Sequence, residues 1–559
     1  MKNTLLPRQV GVKNIWIFLG LWVLTFALYL PAVKAGWVID GVGFLYNLRH
    51  QGFWEFINRT HSEDQSFYQL FTLQYYIGYK LWGLNFWMWS LLYISVQSIN
   101  AYLLFLVCKK IFSDSGLNNQ VLVPLCGAVL FTICPHISEV VICKAYYHYL
   151  QSFMFILLIM LWVQKYQHGH RGIYIFGATL VFILAAFTLE IFYLIPFFVL
   201  TIALYYRFAL GYNPAIFRKT LLYFFVPQVL LLCIYFVAIF VTFGMLHPHK
   251  IALNQSATEY LSKPLKYIFN ILFLGRYFPL ESKKSVYELC QSETVLFLFY
   301  GVVVVSLIYW ATLLKKMANV HKAMLLFLIW VVGAIAFLIP VPFPDATLLV
   351  FYDRYTYFAD GFIYVALALA FFHFMNRYVA IACLLLYAGV NLYFTVELNT
   401  YWKHSAYINN RLLQNLPNPG NRIVVLLNIP ENLNGVPMIG AQPEGEFKAM
   451  REVYTNTLDN NTIYDAASYN MITEHDGAHV TVANDSMIHV TLNQWGTWWW
   501  YEGHGAHSYE NKDYRLNMID PGHWYELTLK HPASQYLLLY EVGDQWKEVD
   551  MGKRGVDQW

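Results

Sequence analysis

The sequence predicts an α-helical polytopic membrane protein of about eleven spans, followed by a small mixed, mostly β, extracytoplasmic domain. Three observations carry this. The 559 residues are 58% hydrophobic, 18% aromatic and only 13% charged. A soluble domain carries about 25% charge, so this chain cannot coat itself as an ordinary cytosolic enzyme does, and its apolar content excludes disorder. The apolar residues gather in runs near the roughly 20 that a membrane helix needs. Finally, the charge divides. From Leu398 onward there are 11 Lys and Arg against 19 Asp and Glu, net −8; the residues before it hold 26 against 15, net +11.

In order, the runs are 14–33, 86–107, 121–135, 147–164, 173–188, 191–206, 221–245, 294–314, 323–343, 359–376 and 378–396. The first is too long for a signal peptide and no small-x-small site follows it, so it reads as a retained anchor. Runs 173–188 and 191–206 are joined by Leu189 and Glu190 alone, a hairpin whose tip reaches one surface. With the N-terminus inside and the spans alternating, the inside loops hold fourteen Lys and Arg, and Asp114 is their one acid. That asymmetry fixes the orientation and puts the acidic C-terminal part outside. The polar outer loops are 34–85, with an amphipathic aromatic stretch at 67–82, then 135–150, 247–293 and 343–361.

The membrane part is thus 1–397. Residues 398–420 read as a connecting helix stopped by Pro417, Pro419 and Gly420. Residues 421–559 form the C-terminal domain. Its alternating runs NRIVVLLNIP, AHVTVA, SMIHVTL, HWYELTLK and SQYLLLYEV are punctuated by Asn, Asp, Gly and Pro, as strands are. WGTWWWYEGH (495–504) can stack on sugar rings, or be a β core or an edge dipped into the interface. The seven Cys all precede this domain, mostly inside apolar runs, with no CxxC and no disulfide framework.

Ionisable residues at membrane depth are functional candidates by default. Asp40, just past the first span, can be a general base or a solvated loop residue. Glu63 and Asp64 can orient an acceptor hydroxyl or hold a cation, or form a solvated turn. Glu139, Lys144 and His148 share one outer helix end; Lys144 can meet a lipid phosphate or simply pair with Glu139. Glu190 sits at the hairpin tip. Arg354, flanked by Asp353 and Tyr355, suits a phosphate by bidentate hydrogen bonding, or pairs with Asp353 or Asp360. His50 and His61 show no zinc spacing, and no metal site is expected. Walker A, GxGxxG, HExxH and GxSxG motifs are absent, which argues against nucleotide-driven transport and common hydrolases.

Five stretches, in order, resemble the multi-spanning glycosyltransferases of the GT-C fold, in particular bacterial relatives of the transmembrane O-mannosyltransferases that carry tetratricopeptide repeats. They are AGWVIDGVGFLYN, with Asp40-Gly41 where that family has Asp-Asp; the long block from Phe67 with Leu-Trp-Gly-Leu-Asn at 81–85 and Asn100; PHISEVV, with Pro135 and Glu139; AAFTLEIFYLIP, with Leu189 for Lys but Glu190 and Pro196 kept; and YDRYTYFADG, with Arg354, Tyr355 and Tyr357. The repeats are absent and the β-like domain stands in their place. The resemblance implies Asp40 as catalytic base and Arg354 on the donor phosphate, with Glu139, Lys144 and Glu190 lining the same cavity; the residues themselves add Lys144 as a second phosphate contact and Glu63, Asp64, His148, Asp353 and Tyr355 as cavity or acceptor residues. The resemblance also implies a polyprenyl-phosphate sugar as donor and inversion at C1; no further cofactor and no divalent metal are expected.

The expected setting is a bacterial inner membrane with the C-terminal domain in the periplasm. The expected partners are membrane lipids, the lipid-linked donor, a protein or glycan acceptor and an envelope protein at the C-terminal domain, with no nucleic acid. Two other readings remain: a non-catalytic envelope scaffold, and a lipid-linked-sugar transporter, for which repeat symmetry is missing.

Overall fold

In the computed structural model, residues 10–38, 40–59, 66–244, 256–314, 316–339, 353–439, 446–457, 460–493, 507–520 and 523–559 are described. Among them, nine helices are long and apolar enough to cross a membrane. Helices Leu122–Thr132 and Pro135–Ile142 are long and apolar enough only as a pair, and they meet at 54°. Pro135 causes the break. It supplies no N–H to the ladder and forces the residue before it to be extended, and Cys134 has φ −68° and ψ 127°. The remaining predicted run, 173–188, is the 15-residue helix Gly172–Ala186, about 22 Å long. Within the described residues, each of the eleven apolar runs therefore lies on a helix.

The helix ends sort as the alternation of spans requires. Loops assigned to the inside meet each other: Asn319 Nδ2 donates to Ser115 O (2.8 Å), Lys322 Nζ to Ala209 O (2.9 Å), and His168 Nε2 lies 2.9 Å from Asp114 Oδ2. Loops assigned to the outside also meet each other. Leu70 N donates to Phe187 O (3.0 Å), and His136 Nε2 to Asn270 O (2.9 Å).

The last span does not stop at residue 397. Helix Arg377–Gln414 is 38 residues long, about 57 Å, and its second half is the helix expected over 398–420. It ends at Gln414, ahead of Pro417, and carries the C-terminal domain.

Among the described residues, that domain holds three sheets. β1 (Ile423–Leu426) runs parallel to both β4 (Ile463–Asp465) and β11 (Tyr536–Val542), and β12 (Gln545–Glu548) closes the edge antiparallel to β11. β2 (Ile429–Leu433) lies between β3 (Val436–Pro437) and β5 (Ser468–Met471). The antiparallel order of the third sheet is β6 (His479–Val482), β7 (Met487–Thr491), β10 (Trp524–Leu529), β9 (Tyr514–Asp520), β8 (Ser508–Glu510). The sequence pattern separates the two kinds of strand. β10 alternates between buried and half-buried residues, as a sheet with one core face must. β11, inside a mixed sheet, is buried along almost its whole length. The five apolar runs of the domain all lie on strands; WGTWWWYEGH lies outside the described residues.

Candidate active site

The bent helix pair builds one wall. Non-helical backbone at membrane depth persists where it is covered by protein or lines a polar cavity, and the bend delivers Glu139 on the short helix Ser138–Ile142. The turn Asp353–Tyr355, at the mouth of helix Tyr357–Phe374, builds the opposite wall. The two close on each other. Arg354 Nη1 donates to Glu139 Oε1 at 2.5 Å and the Arg354 backbone N to Glu139 Oε2 at 2.9 Å. The Glu139 side chain is 3% exposed and that of Arg354 14%. The guanidinium also lies over the rings of Tyr146 (4.5 Å) and Tyr355 (5.0 Å). Such contacts orient a planar cation as well as attracting it.

A second cation set stands beside the first. Arg276 pairs with Asp353, and His136 Nδ1 lies 3.7 Å from Asp353 Oδ1. Lys283, on helix Leu280–Gln291, is buried; burial, and then the neighbouring Arg276 guanidinium, hold its amine down to about 7. Lys263 and Lys266 of helix Ala257–Phe273 are buried as well, with Lys263 Nζ donating to Ile339 O at 2.8 Å. The sequence reading passed over Arg276 and Lys283, which sit in an outer loop noted only as polar. Their signal was local: Arg276-Tyr277 repeats the Arg-Tyr pairing of Arg354-Tyr355.

The remaining candidates fall as follows. Arg354 bonds to Glu139 rather than to its chain neighbours Asp353 and Asp360. Asp360 is buried and accepts from Thr356 Oγ1 at 3.0 Å. Lys144 is buried and does not pair with Glu139: its ammonium donates to Ser90 Oγ (2.8 Å) and Ile142 O (3.0 Å). Its backbone carbonyl accepts from Tyr93 (2.5 Å) and Tyr75. These bonds secure the turn Lys144–Tyr146 that presents Tyr146 to Arg354. The His148 ring stacks edge-on against Phe71 at 4.6 Å and lies 4.8 Å from Tyr149. Tyr149 faces Tyr355 at 6.4 Å. Glu190 is buried at the hairpin tip, near Tyr193 and Tyr235.

Asp40 is the first residue of helix Asp40–His50; its side chain, and all of Glu63 and Asp64, lie outside the described residues. The backbone beside Asp40 is well placed. A Cβ at Gly41 would come within 3.7 Å of Ala145 N and 2.9 Å of the Trp37 ring. The start of this helix thus abuts the turn that carries Tyr146, whose ring lies 4.5 Å from the Arg354 guanidinium. Trp37 is fully buried between Tyr75 and Trp89. That is a packing reason for glycine where the resembled family has a second Asp. Among the described residues, no group of three or more His, Cys, Asp or Glu can hold a metal ion.

No protein-family profile matches the chain, and no curated protein matches it. Among solved structures, it is similar to ArnT from Cupriavidus metallidurans bound to undecaprenyl phosphate. The identity is 13% and the TM-score 0.32, over 80% of this chain and 88% of that one. It is also similar to ArnT from the same organism in the apo state, at 12% identity and a TM-score of 0.32, over 81% and 89% of the two chains.

Proposed function

We propose that this chain is an inverting glycosyltransferase of a bacterial inner membrane. It moves a sugar, on the periplasmic face, from a polyprenyl-phosphate donor to an acceptor hydroxyl on a protein or an envelope glycan. The observation that carries the reading is the Arg354 guanidinium at the outer end of a span. Glu139 and the Tyr146 and Tyr355 rings hold it, across one turn from the helix that begins at Asp40. Five family-like stretches in order point the same way.

In the reaction, Asp40 takes the acceptor hydroxyl proton as the oxygen attacks C1 of the sugar. The C1–O bond to phosphate breaks, its electron pair leaves with the lipid phosphate, and the configuration at C1 inverts. Arg354 stabilises the charge that develops on the departing phosphate; Arg276 and Lys283 add positive potential from beside it. Glu139 keeps Arg354 aimed. Lys144, with its ammonium held by Ser90, contributes through the turn that it secures.

The test is transfer by the purified full-length chain, in lipid, from a panel of polyprenyl-phosphate sugars to envelope acceptors, with Arg354→Ala alongside. Wild type is expected to transfer from at least one donor, and Arg354→Ala about 100–1000-fold more slowly. A folded wild type that transfers from none, or an Arg354→Ala variant at the wild-type rate, overturns the reading; the first result favours the scaffold.

A further inference from the structure

An α-helix ends with carbonyls that lack intrahelical partners. Helix Glu446–Thr455 of the C-terminal domain solves this with help from the membrane domain. Asn456 follows it in the left-handed conformation, φ 55°, that commonly closes helices, and its amide bonds to Glu452 O at 3.0 Å. Arg49 then fills the end. Its Nη1 donates to Glu452 O (2.9 Å), its Nη2 to Val453 O (2.8 Å), and Nη1 also reaches Asn456 Oδ1 (3.4 Å). A cation there meets the negative end of the helix dipole. Arg49 Nε reaches Tyr79 Oη of helix Gln69–Trp82 at 3.3 Å, and its neighbour His50 sits 2.6 Å from Glu452 Oε1.

Arg49 and His50 close the helix that starts at Asp40. The same C-terminal helix holds the approach to its other end. Tyr454 Oη donates to Trp37 O at 2.6 Å. The Tyr454 hydroxyl occupies the space that a Cβ at Gly36 would take. Helix Asp40–His50 is thus gripped near both ends by one ten-residue helix, and Gly41 backs onto Ala145.

We propose that helix Glu446–Thr455 is a positioning clamp for the helix beginning at Asp40, with Arg49 as its principal positioning residue. The C-terminal domain is then an integral part of the transfer site. The inference rests on the reading of Asp40 as the base.

The test uses the full-length chain in lipid nanodiscs, with Arg49→Ala, Arg49→Lys, Tyr454→Phe and Asp40→Asn. Hydrogen exchange is followed over residues 40–50 and over β1 and β11, and transfer is resolved into kcat and donor KM. In Arg49→Ala, exchange over 40–50 is expected to rise about tenfold with β1 and β11 unchanged. Its kcat should fall about 10–100-fold at constant donor KM. Arg49→Lys should recover part of both, because an ammonium reaches fewer carbonyls than a fork does. Unchanged exchange over 40–50, or faster exchange at wild-type kcat, overturns the proposal. Wild-type transfer by Asp40→Asn instead overturns the reading of the base, a separate result, because exchange still reports on the clamp.

Discussion

Arg354 is fixed from three sides, by the Glu139 carboxylate and by the rings of Tyr146 and Tyr355. Glu139 is 215 positions away in sequence, on the short helix that follows the break at Pro135, so the sequence left Arg354 with Asp353 or Asp360 as its expected partner. Arg354 and Glu139 belong together: removing one partner of a buried pair typically costs about 3–5 kcal/mol, so Glu139→Ala is expected to lower unfolding stability by that order in a detergent melt, and a melt like that of wild type would contradict the pairing. On the proposed reading, Lys283 should give the site a pH dependence whose sign follows from its lowered value near 7. The amine is charged below that pH and neutral above it, so any help it gives to an anionic donor should fade as pH rises through 7. Donor KM is expected to rise about fivefold from pH 6 to pH 8, the equivalent of ~1 kcal/mol, and to stay flat in Lys283→Arg. A KM independent of pH in wild type would remove Lys283 from the site.

Apolar runs mark elements well, because the bilayer demands a length that few other structures share. That is why, within the described residues, all eleven runs lie on helices, including the short Gly172–Ala186. What the runs could not convey is the shape of what joins them. The stretch Ala257–Gln291 read as a polar loop, yet it forms two helices that carry Lys263, Lys266 and Lys283, with Arg276 between them. Amphipathic helices this short stand below the threshold that identifies a span. Gly36 illustrates element contact at its tightest. Gly36→Ala should displace Tyr454 from Trp37 and cost about 1–3 kcal/mol. Gly36→Ala combined with Tyr454→Ala should cost less than the sum of the two single changes, because one clash accounts for both. Additive melts would contradict that contact.

At the scale of the molecule, the charge changes sign at Leu398, yet one unbroken helix, Arg377–Gln414, crosses that point. Composition could not reveal that helix Glu446–Thr455 folds back onto the first outer helix, more than 400 positions away in sequence, because that contact rests on single side chains such as Arg49 and Tyr454. Nor could it say why the second Asp is missing, which the Trp37 ring accounts for. The central claim is that Asp40 removes the acceptor proton at the end of this clamped helix. A single-turnover transfer assay with saturating polyprenyl-phosphate sugar, comparing wild type with Asp40→Asn, tests it most directly. The account predicts wild-type donor binding and a transfer rate about 100–10,000-fold lower; transfer by Asp40→Asn at the wild-type rate would contradict it.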